Sequence, residues 1–455
     1  MFSYQAKALE EWDRNGRSML FEMATGTGKT RTAIACINLA KAGADKFICI
    51  VAAPEITLAR QWDKEFRSLD VVFDDVIFAD GSSGGRKVWE KAIARAVSGI
   101  GAGLTSSFLV LVTHASACGD AFVALFETVS PDIKICFVGD EVHGIGARKQ
   151  RRALLERYDY RIGLSATPTR WFDSAGTKIL VEYFGSHSFV FSIADAQHTI
   201  NPITGEPFLA AYEYIPVFVS LNDEEMERYS TLSEKITRLA YLQGLQDDDD
   251  IEEYLERLLE QRADIMKNAQ EKLAAFEDLI RKRRVERTLI FTSPQQIRQI
   301  LKILAQNRIA AHPFTQEQGT RVSKDYGGMS ERDYLIASFK AGAYQALVAI
   351  SCLDEGIDIP AADTAILLSS STNPREYIQR IGRVIRYSKG KEKATVIDFV
   401  VQANTSRITD PRLVDFERNV FSRELRRIEE IASNAVNAAE VVLKVGEKRE
   451  RMYGI

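Results

Sequence analysis

Cysteine is scarce in this chain: Cys36, Cys49, Cys118, Cys136 and Cys352 are the five in 455 residues, and no two form a CxxC pair. That spacing excludes a disulfide framework, a zinc ribbon and an iron–sulfur cluster, and it fits a reducing compartment. Cys49 and Cys136 lie inside apolar runs, where a thiol behaves as a small hydrophobe. Long hydrophobic runs are missing as well, so no segment is expected to cross a bilayer. The N-terminal MFSYQAKALEEWDR carries early acidic residues and no apolar h-region, unlike a signal peptide. A soluble, cytoplasmic protein is expected. Bulk basicity is also lacking, with a formal net charge of -4 and a pI of about 5.9. This argues only weakly against nucleic acid, because a narrow basic cleft on a mildly acidic body can bind phosphates.

What is present is a recurring pattern. MLFEM, FICIVAA, FLVLVT, IKICFVG and RIGLSA are strand-length and nearly continuous in apolar residues, and each leads into a turn or a helical pattern. Strands buried on both faces read this way. The expected fold class is α/β, with doubly wound parallel sheets. A chain of this length exceeds one core. The pattern predicts a first α/β domain over 1–195 and a mostly helical bridge or insertion over 196–284. A second α/β domain comes next over 285–405 (TLIFT, QALVAI, TAILLS, ATVIDFV), then a charged helical tail over 406–455. DDDD at 247–250 reads as an exposed turn or helix start.

MATGTGKT, residues 23–30, stands between the strand MLFEM and the helical TRTAIACINLA. Strand, glycine-rich turn and helix N-terminus together make a phosphate loop, whose backbone amides cradle phosphates. Thr25, Gly26, Thr27 and Gly28 supply the turn. Lys29 would reach the β- and γ-phosphates, and Thr30 would place its hydroxyl on Mg²⁺. Met23 occupies the position of the first glycine of the general GxxxxGK[ST] pattern.

GDEVHGIG (139–146) sets Asp140 and Glu141 side by side. Taken alone it is a metal site, a general acid/base pair or a polar strand end. A phosphate loop narrows this, because a P-loop nucleotidase needs an acidic residue at a neighbouring strand end to hold Mg²⁺ and another group to orient the attacking water. IKICFVG ends at this pair, so Asp140 takes the metal and Glu141 the water. His143 is a poor metal ligand, since HExxH spacing is absent.

ATGTGKT, DEVH, SATPTR (165–170) and QRIGRVIR (379–386), in this order, closely resemble superfamily 2 helicases of the DExH type. Within them the chain looks most like the group containing type III restriction helicase subunits and XPB-like DNA repair helicases. The resemblance covers roughly residues 1–400. It implies two RecA-like domains with ATP hydrolysed at their interface. Carried over residue by residue, Gln5 in the Tyr4-Gln5 pair would read the adenine edge. Pro54 and Arg60 in APEITLARQW, and Thr113 in VLVTHAS, would touch the nucleic-acid backbone. Ser165 and Thr167 of SAT would couple nucleotide state to strand binding, with His143 as polar partner. In the second domain, Thr292 of IFTSP would meet nucleic acid, and Ser351, just before LDEGIDIP, would meet a phosphate. Gly356 and Asp358 would approach the nucleotide, Asp358 toward the ribose. Gln379 would sense the γ-phosphate, with Arg383 and Arg386 as arginine fingers, a device worth about 10³ to 10⁵ in rate.

The resemblance thus implies ATP and Mg²⁺ as cofactors and DNA, single-stranded or duplex, as the track, with RNA as an alternative. It allows a nuclease, methyltransferase or sensor partner, and it involves no membrane. N-terminal damage-recognition or nuclease modules of relatives are expected to be absent. Trp171-Phe172 either stack a base or split a fork, or pack ordinarily. ARKQRRALLERYDYR (147–161) and RKRRVER (281–287) either line the strand path or are solvated. The helical stretch 222–284 is a clamp or a structural bridge. The competing functions are an unwinding motor, a translocase that moves on duplex without separating strands, and a nucleotide-dependent switch that barely hydrolyses.

Overall fold

FICIVAA (Phe47–Ala53) is apolar at all seven positions and buried at all seven. A strand like this requires cover on both faces, which a parallel sheet with helices on either side provides. The computed structural model describes residues 1–80, 85–166, 174–243, 249–315, 317–319, 322–350, 362–369, 381–382, 384–388, 390–402 and 411–453. The chain divides into two units, Met1–Phe208 and Leu209–Ile455.

The first unit holds strands β1 (Ser18–Met23), β2 (Phe47–Ala53), β3 (Asp75–Ala79), β4 (Ser107–Thr113), β5 (Lys134–Gly139), β6 (Tyr160–Ser165) and β7 (Ser188–Phe191). They form one sheet in the order β3-β4-β2-β5-β6-β1-β7. Every neighbouring pair is parallel. All strand carboxyl ends therefore open on one edge of the sheet, where ligands bind in such folds. The first three helices of this unit are α1 (Ser3–Arg14), α2 (Lys29–Ala42) and α3 (Ile56–Ser68). α1 is anchored by the buried Trp12, whose indole N–H donates to the Arg161 carbonyl at 3.2 Å. Tyr4 stacks on Phe191 with ring centroids 4.0 Å apart.

The second unit holds β8 (Ala211–Ser220), β9 (Thr288–Phe291), β10 (Ala311–Phe314), β11 (Val322–Ser323), β12 (Met329–Ser330), β13 (Ala346–Ala349), β14 (Thr364–Leu367) and β15 (Lys393–Gln402). Its main sheet runs β10-β13-β9-β14-β15-β8, again parallel throughout, and β11-β12 is a small antiparallel ribbon. Between β8 and β9 lie helices Asp223–Gln243, Asp249–Lys267 and Glu271–Lys282. The second of these begins inside the DDDD run.

Two C-terminal helices, Pro411–Ala432 and Ala438–Tyr453, belong to this unit and reach into its interior. Arg427 donates to the wholly buried Asp398 at 3.0 Å, and the Tyr214 hydroxyl donates to the same carboxylate at 2.8 Å. Glu417 accepts from Tyr229 at 2.8 Å and Ser233 at 2.9 Å. Burying charge is costly unless it is paired and hydrogen-bonded, and this network does both. Lys272, buried nearby, donates to the Leu368 carbonyl at 2.6 Å. Burial brings its ammonium down to about 7, against the opposing pull of Asp398 and Glu424. Among the described residues no helix is long and apolar enough to cross a membrane.

Candidate nucleotide site

β1 ends at Met23 and the chain turns through residues 24–28 into α2. Gly26 and Gly28 hold φ of +87° and +86°, backbone that residues with a Cβ enter at a cost. The turn is tied internally, because Thr27 Oγ1 donates to the Ala24 carbonyl at 2.7 Å and Thr32 Oγ1 to that of Gly28 at 3.1 Å. It is tied externally to α1. The Tyr4 hydroxyl donates to the Thr27 carbonyl, and the Gln5 amide lies 3.5 Å from that of Gly28. Gln5 Oε1 in turn accepts from the Phe2 backbone at 2.9 Å. Lys29 Nζ donates to the Met23 carbonyl at 3.2 Å, folded back over the turn. Thr25 Oγ1 is buried without a hydrogen-bond partner, and Thr30 is half-buried in the first turn of α2.

Across the same sheet edge, β5 delivers Asp140 and Glu141. The Asp140 backbone N–H donates to the Ala52 carbonyl at 2.8 Å, which continues the β2–β5 ladder one residue past Gly139. Its two carboxylate oxygens accept separately, Oδ2 from the Trp62 indole N–H at 2.8 Å and Oδ1 from the Glu141 N–H at 3.0 Å. Burial pushes the Asp140 carboxyl above its usual range, while Trp62, the Lys29 ammonium and the Glu141 N–H pull it down. Glu141 sits at φ 44°, ψ 50°, a left-handed conformation that a non-glycine residue adopts at a cost of about 1–3 kcal/mol. This backbone turn directs the chain out of the strand into the short 3₁₀ turn Val142–Gly144.

Glu141 Oε2 lies 3.5 Å from His143 Nδ1, and the same nitrogen is 3.5 Å from Ser165 Oγ at the end of β6. The structure thus gathers Gln5, residues 25–30, Asp140, Glu141, His143 and Ser165 within the first unit. Thr167 lies outside the described residues. Pro54 follows the end of β2, and Arg60 is exposed on α3, its guanidinium 5.2 Å from the Phe78 ring centroid. Thr113 caps the turn His114–Ala117, its hydroxyl accepting from the Ser116 N–H at 3.2 Å.

In the second unit Thr292 is buried, and its hydroxyl finds no partner. Arg386 bridges Leu209 through its backbone, and its carbonyl accepts from Lys391 Nζ at 2.9 Å. Ser351, Gly356, Asp358, Gln379 and Arg383 lie outside the described residues.

Two contributors were not singled out from sequence: Trp62, at the end of the very stretch APEITLARQW, and His114, which follows Thr113. His114 Nε2 is 2.9 Å from the Asp140 carbonyl. A carbonyl only accepts, so this nitrogen carries the proton. Burial brings the imidazole down to about 4, so the ring is neutral at pH 7.

Residues 1–170 match the family described as type III restriction enzyme, res subunit, and residues 271–388 match the helicase conserved C-terminal domain. Over 414 residues the chain is 26% identical to the DNA 3'-5' translocase XPB2 of Sulfurisphaera tokodaii, covering 88% of this chain and 81% of that protein. It is 24% identical over 387 residues to the DNA 3'-5' helicase XPB of Mycobacterium tuberculosis, covering 84% of this chain and 57% of that one. Among solved structures, the ATP-dependent Type ISP restriction-modification enzyme LlaBIII bound to DNA aligns with a TM-score of 0.56 at 16% identity, over 94% of this chain and 29% of that one. At that identity the likeness is one of fold.

Proposed function

We propose that this chain is a superfamily 2 helicase, related to XPB and the type III restriction subunits, and that it is an ATP- and Mg²⁺-dependent motor whose track is DNA. The observation that carries this reading is the convergence of Lys29, at the N-terminus of α2, and the half-buried Asp140, at the end of β5, on one edge of one parallel sheet.

The donor set fits Mg²⁺. Asp140 and Thr30 offer hard oxygens. Among the described residues no group of three or more His, Cys, Asp or Glu side chains could hold a metal. Mg²⁺ suits such a site, because it is usually bound by one or two carboxylates together with phosphate oxygens and water. When bound it neutralises charge on the β- and γ-phosphates. The protein's own residues do the rest. Backbone amides of 25–28 and the α2 N-terminus hold phosphate oxygens. Lys29 leaves the Met23 carbonyl for the phosphates. Glu141 accepts the proton of, or orients, the attacking water. His143 and Ser165, next to Glu141, would report its state to the strand-binding surface. Turnover is also expected to need Arg383 and Arg386, with Gln379 as the γ-phosphate sensor.

DNA is favoured over RNA because two relatives aligned over most of this chain are named for DNA. A second reading is movement along duplex without strand separation, since one of those relatives is named a translocase. The test is ATP hydrolysis with no nucleic acid, single-stranded DNA, duplex DNA and RNA, at one fixed low salt. Stimulation by DNA is expected. Stimulation confined to duplex selects the translocase, and turnover that is flat across all four overturns the motor.

A further inference from the structure

Buried indole N–H groups need an acceptor, and any backbone carbonyl serves. Trp12 solves the problem in that way, donating to the Arg161 carbonyl. Trp62 does not. It is 2% exposed and packs its ring on Phe66, with centroids 5.8 Å apart, yet its N–H goes to Asp140 Oδ2 at 2.8 Å. With the Glu141 N–H on Oδ1 and the indole N–H on Oδ2, the rotation of the carboxyl group is fixed.

The same aspartate is held from a second side. His114 donates to its carbonyl, and the ring is wedged against Gly144, where a Cβ would fall 2.8 Å from His114 Nδ1. Glycine at 144 leaves the space that the imidazole occupies. The elements that send out these two side chains are those expected to face the track. Trp62 is two residues after Arg60 in α3, and His114 directly follows Thr113.

We propose that Trp62 and His114 are positioning residues that hold Asp140 in its metal-binding orientation and tie α3 and the Thr113 turn to the nucleotide site, a link from track to Mg²⁺ separate from the Ser165–His143 contact. The inference rests on the reading of Asp140 as the Mg²⁺ carboxylate. A displacement of α3 by nucleic acid would move the Trp62 N–H and so turn the carboxylate. The converse holds by linkage: Mg²⁺–nucleotide binding shifts the affinity of α3 for nucleic acid by the same factor.

The decisive variant is Trp62→Phe, which keeps an aromatic ring against Phe66 and removes only the donor. The probe is a fluorescent N-methylanthraniloyl-ADP, titrated with EDTA and then with Mg²⁺. With EDTA the variant should bind it within about twofold of the unaltered chain. The tightening caused by Mg²⁺ should fall about tenfold, and saturating DNA should no longer change the Mg²⁺ requirement. Unchanged Mg²⁺ tightening in a variant that melts normally overturns the proposal.

If the variant melts early, the unaltered chain decides through the indole ¹⁵N–H signals of its tryptophans. One signal must move when Mg²⁺ is added to the ADP complex, and none moving overturns the link. Should DNA fail to stimulate ATP turnover in the unaltered chain, the proposed motor fails. The ADP titration still judges Trp62, so the two failures stay distinct.

Discussion

The side-chain amide of Gln5 lies 2.6 Å from where a Cβ on Gly28 would sit. Gly28 therefore meets two constraints of different strength. The amide is the end of a flexible side chain and can swing aside. The backbone at φ +86° cannot, and left-handed geometry costs a residue with a Cβ roughly 1–2 kcal/mol. Gly28→Ala should lower ATP turnover about tenfold or more, and adding Gln5→Ala should not restore it. Steady-state ATPase assays of the single and double variants check this; recovery in the double variant would mean that the clash, not the backbone, demands glycine.

Lys29, Asp140 and Glu141 should fail in three different ways. Lys29→Ala is expected to abolish turnover. Glu141→Gln should keep Mg²⁺–ADP affinity while kcat drops by about 10² to 10⁴, the usual worth of a general base. Asp140→Asn should instead lose the Mg²⁺-dependent part of nucleotide affinity. Binding measured with and without Mg²⁺, beside kcat, separates them. A Glu141→Gln chain that loses Mg²⁺ as Asp140→Asn does would reverse the division of labour between the two carboxylates.

His114 makes the first unit acid-sensitive. Its folded value is about 4 against an ordinary 6.5, so between those pH values the unfolded chain binds a proton that the folded chain does not. Stability therefore falls as pH drops from 6.5 toward 4, by up to about 3 kcal/mol. His114→Gln should have a shallower acid limb in urea unfolding between pH 7 and 4.5, even if it is less stable at neutral pH. An identical slope in both chains would assign the acid sensitivity elsewhere.

Arg427→Ala strips a partner from a carboxylate that is 0% exposed. Breaking a buried pair from one side typically costs about 3–5 kcal/mol. Only the second unit should lose stability, seen as a shift of one of two unfolding transitions. Nucleotide binding to the first unit should persist at urea concentrations where the second has unfolded.

The phosphate loop and the Asp140-Glu141 pair were legible because each is a short contiguous string at a strand end, with its elements adjacent in sequence. Trp62 and His114 were not, since their partner lies 78 and 26 residues away and neither pattern nor spacing pairs an indole with a carboxylate. β8 also lacks a continuous apolar run. It alternates half-buried and buried positions as the edge of its sheet, and it contains Pro216, which central strands exclude. Its pattern therefore grouped it with the helical stretch after it. The tail was legible as helix but not as core, because the acceptor for Arg427 stands on β15.

β8 pairs along its whole length with β15, Ala211 opposite Lys393 and Ser220 opposite Gln402. During synthesis this strand leaves the ribosome about 180 residues before its one sheet neighbour among the described residues exists. At about 5–20 residues per second, that is roughly ten to forty seconds in which an apolar edge waits unpaired. The first unit can close as soon as its own strands are made. The second cannot finish until Arg427 has emerged, so its completion waits on the last part of the chain to be made.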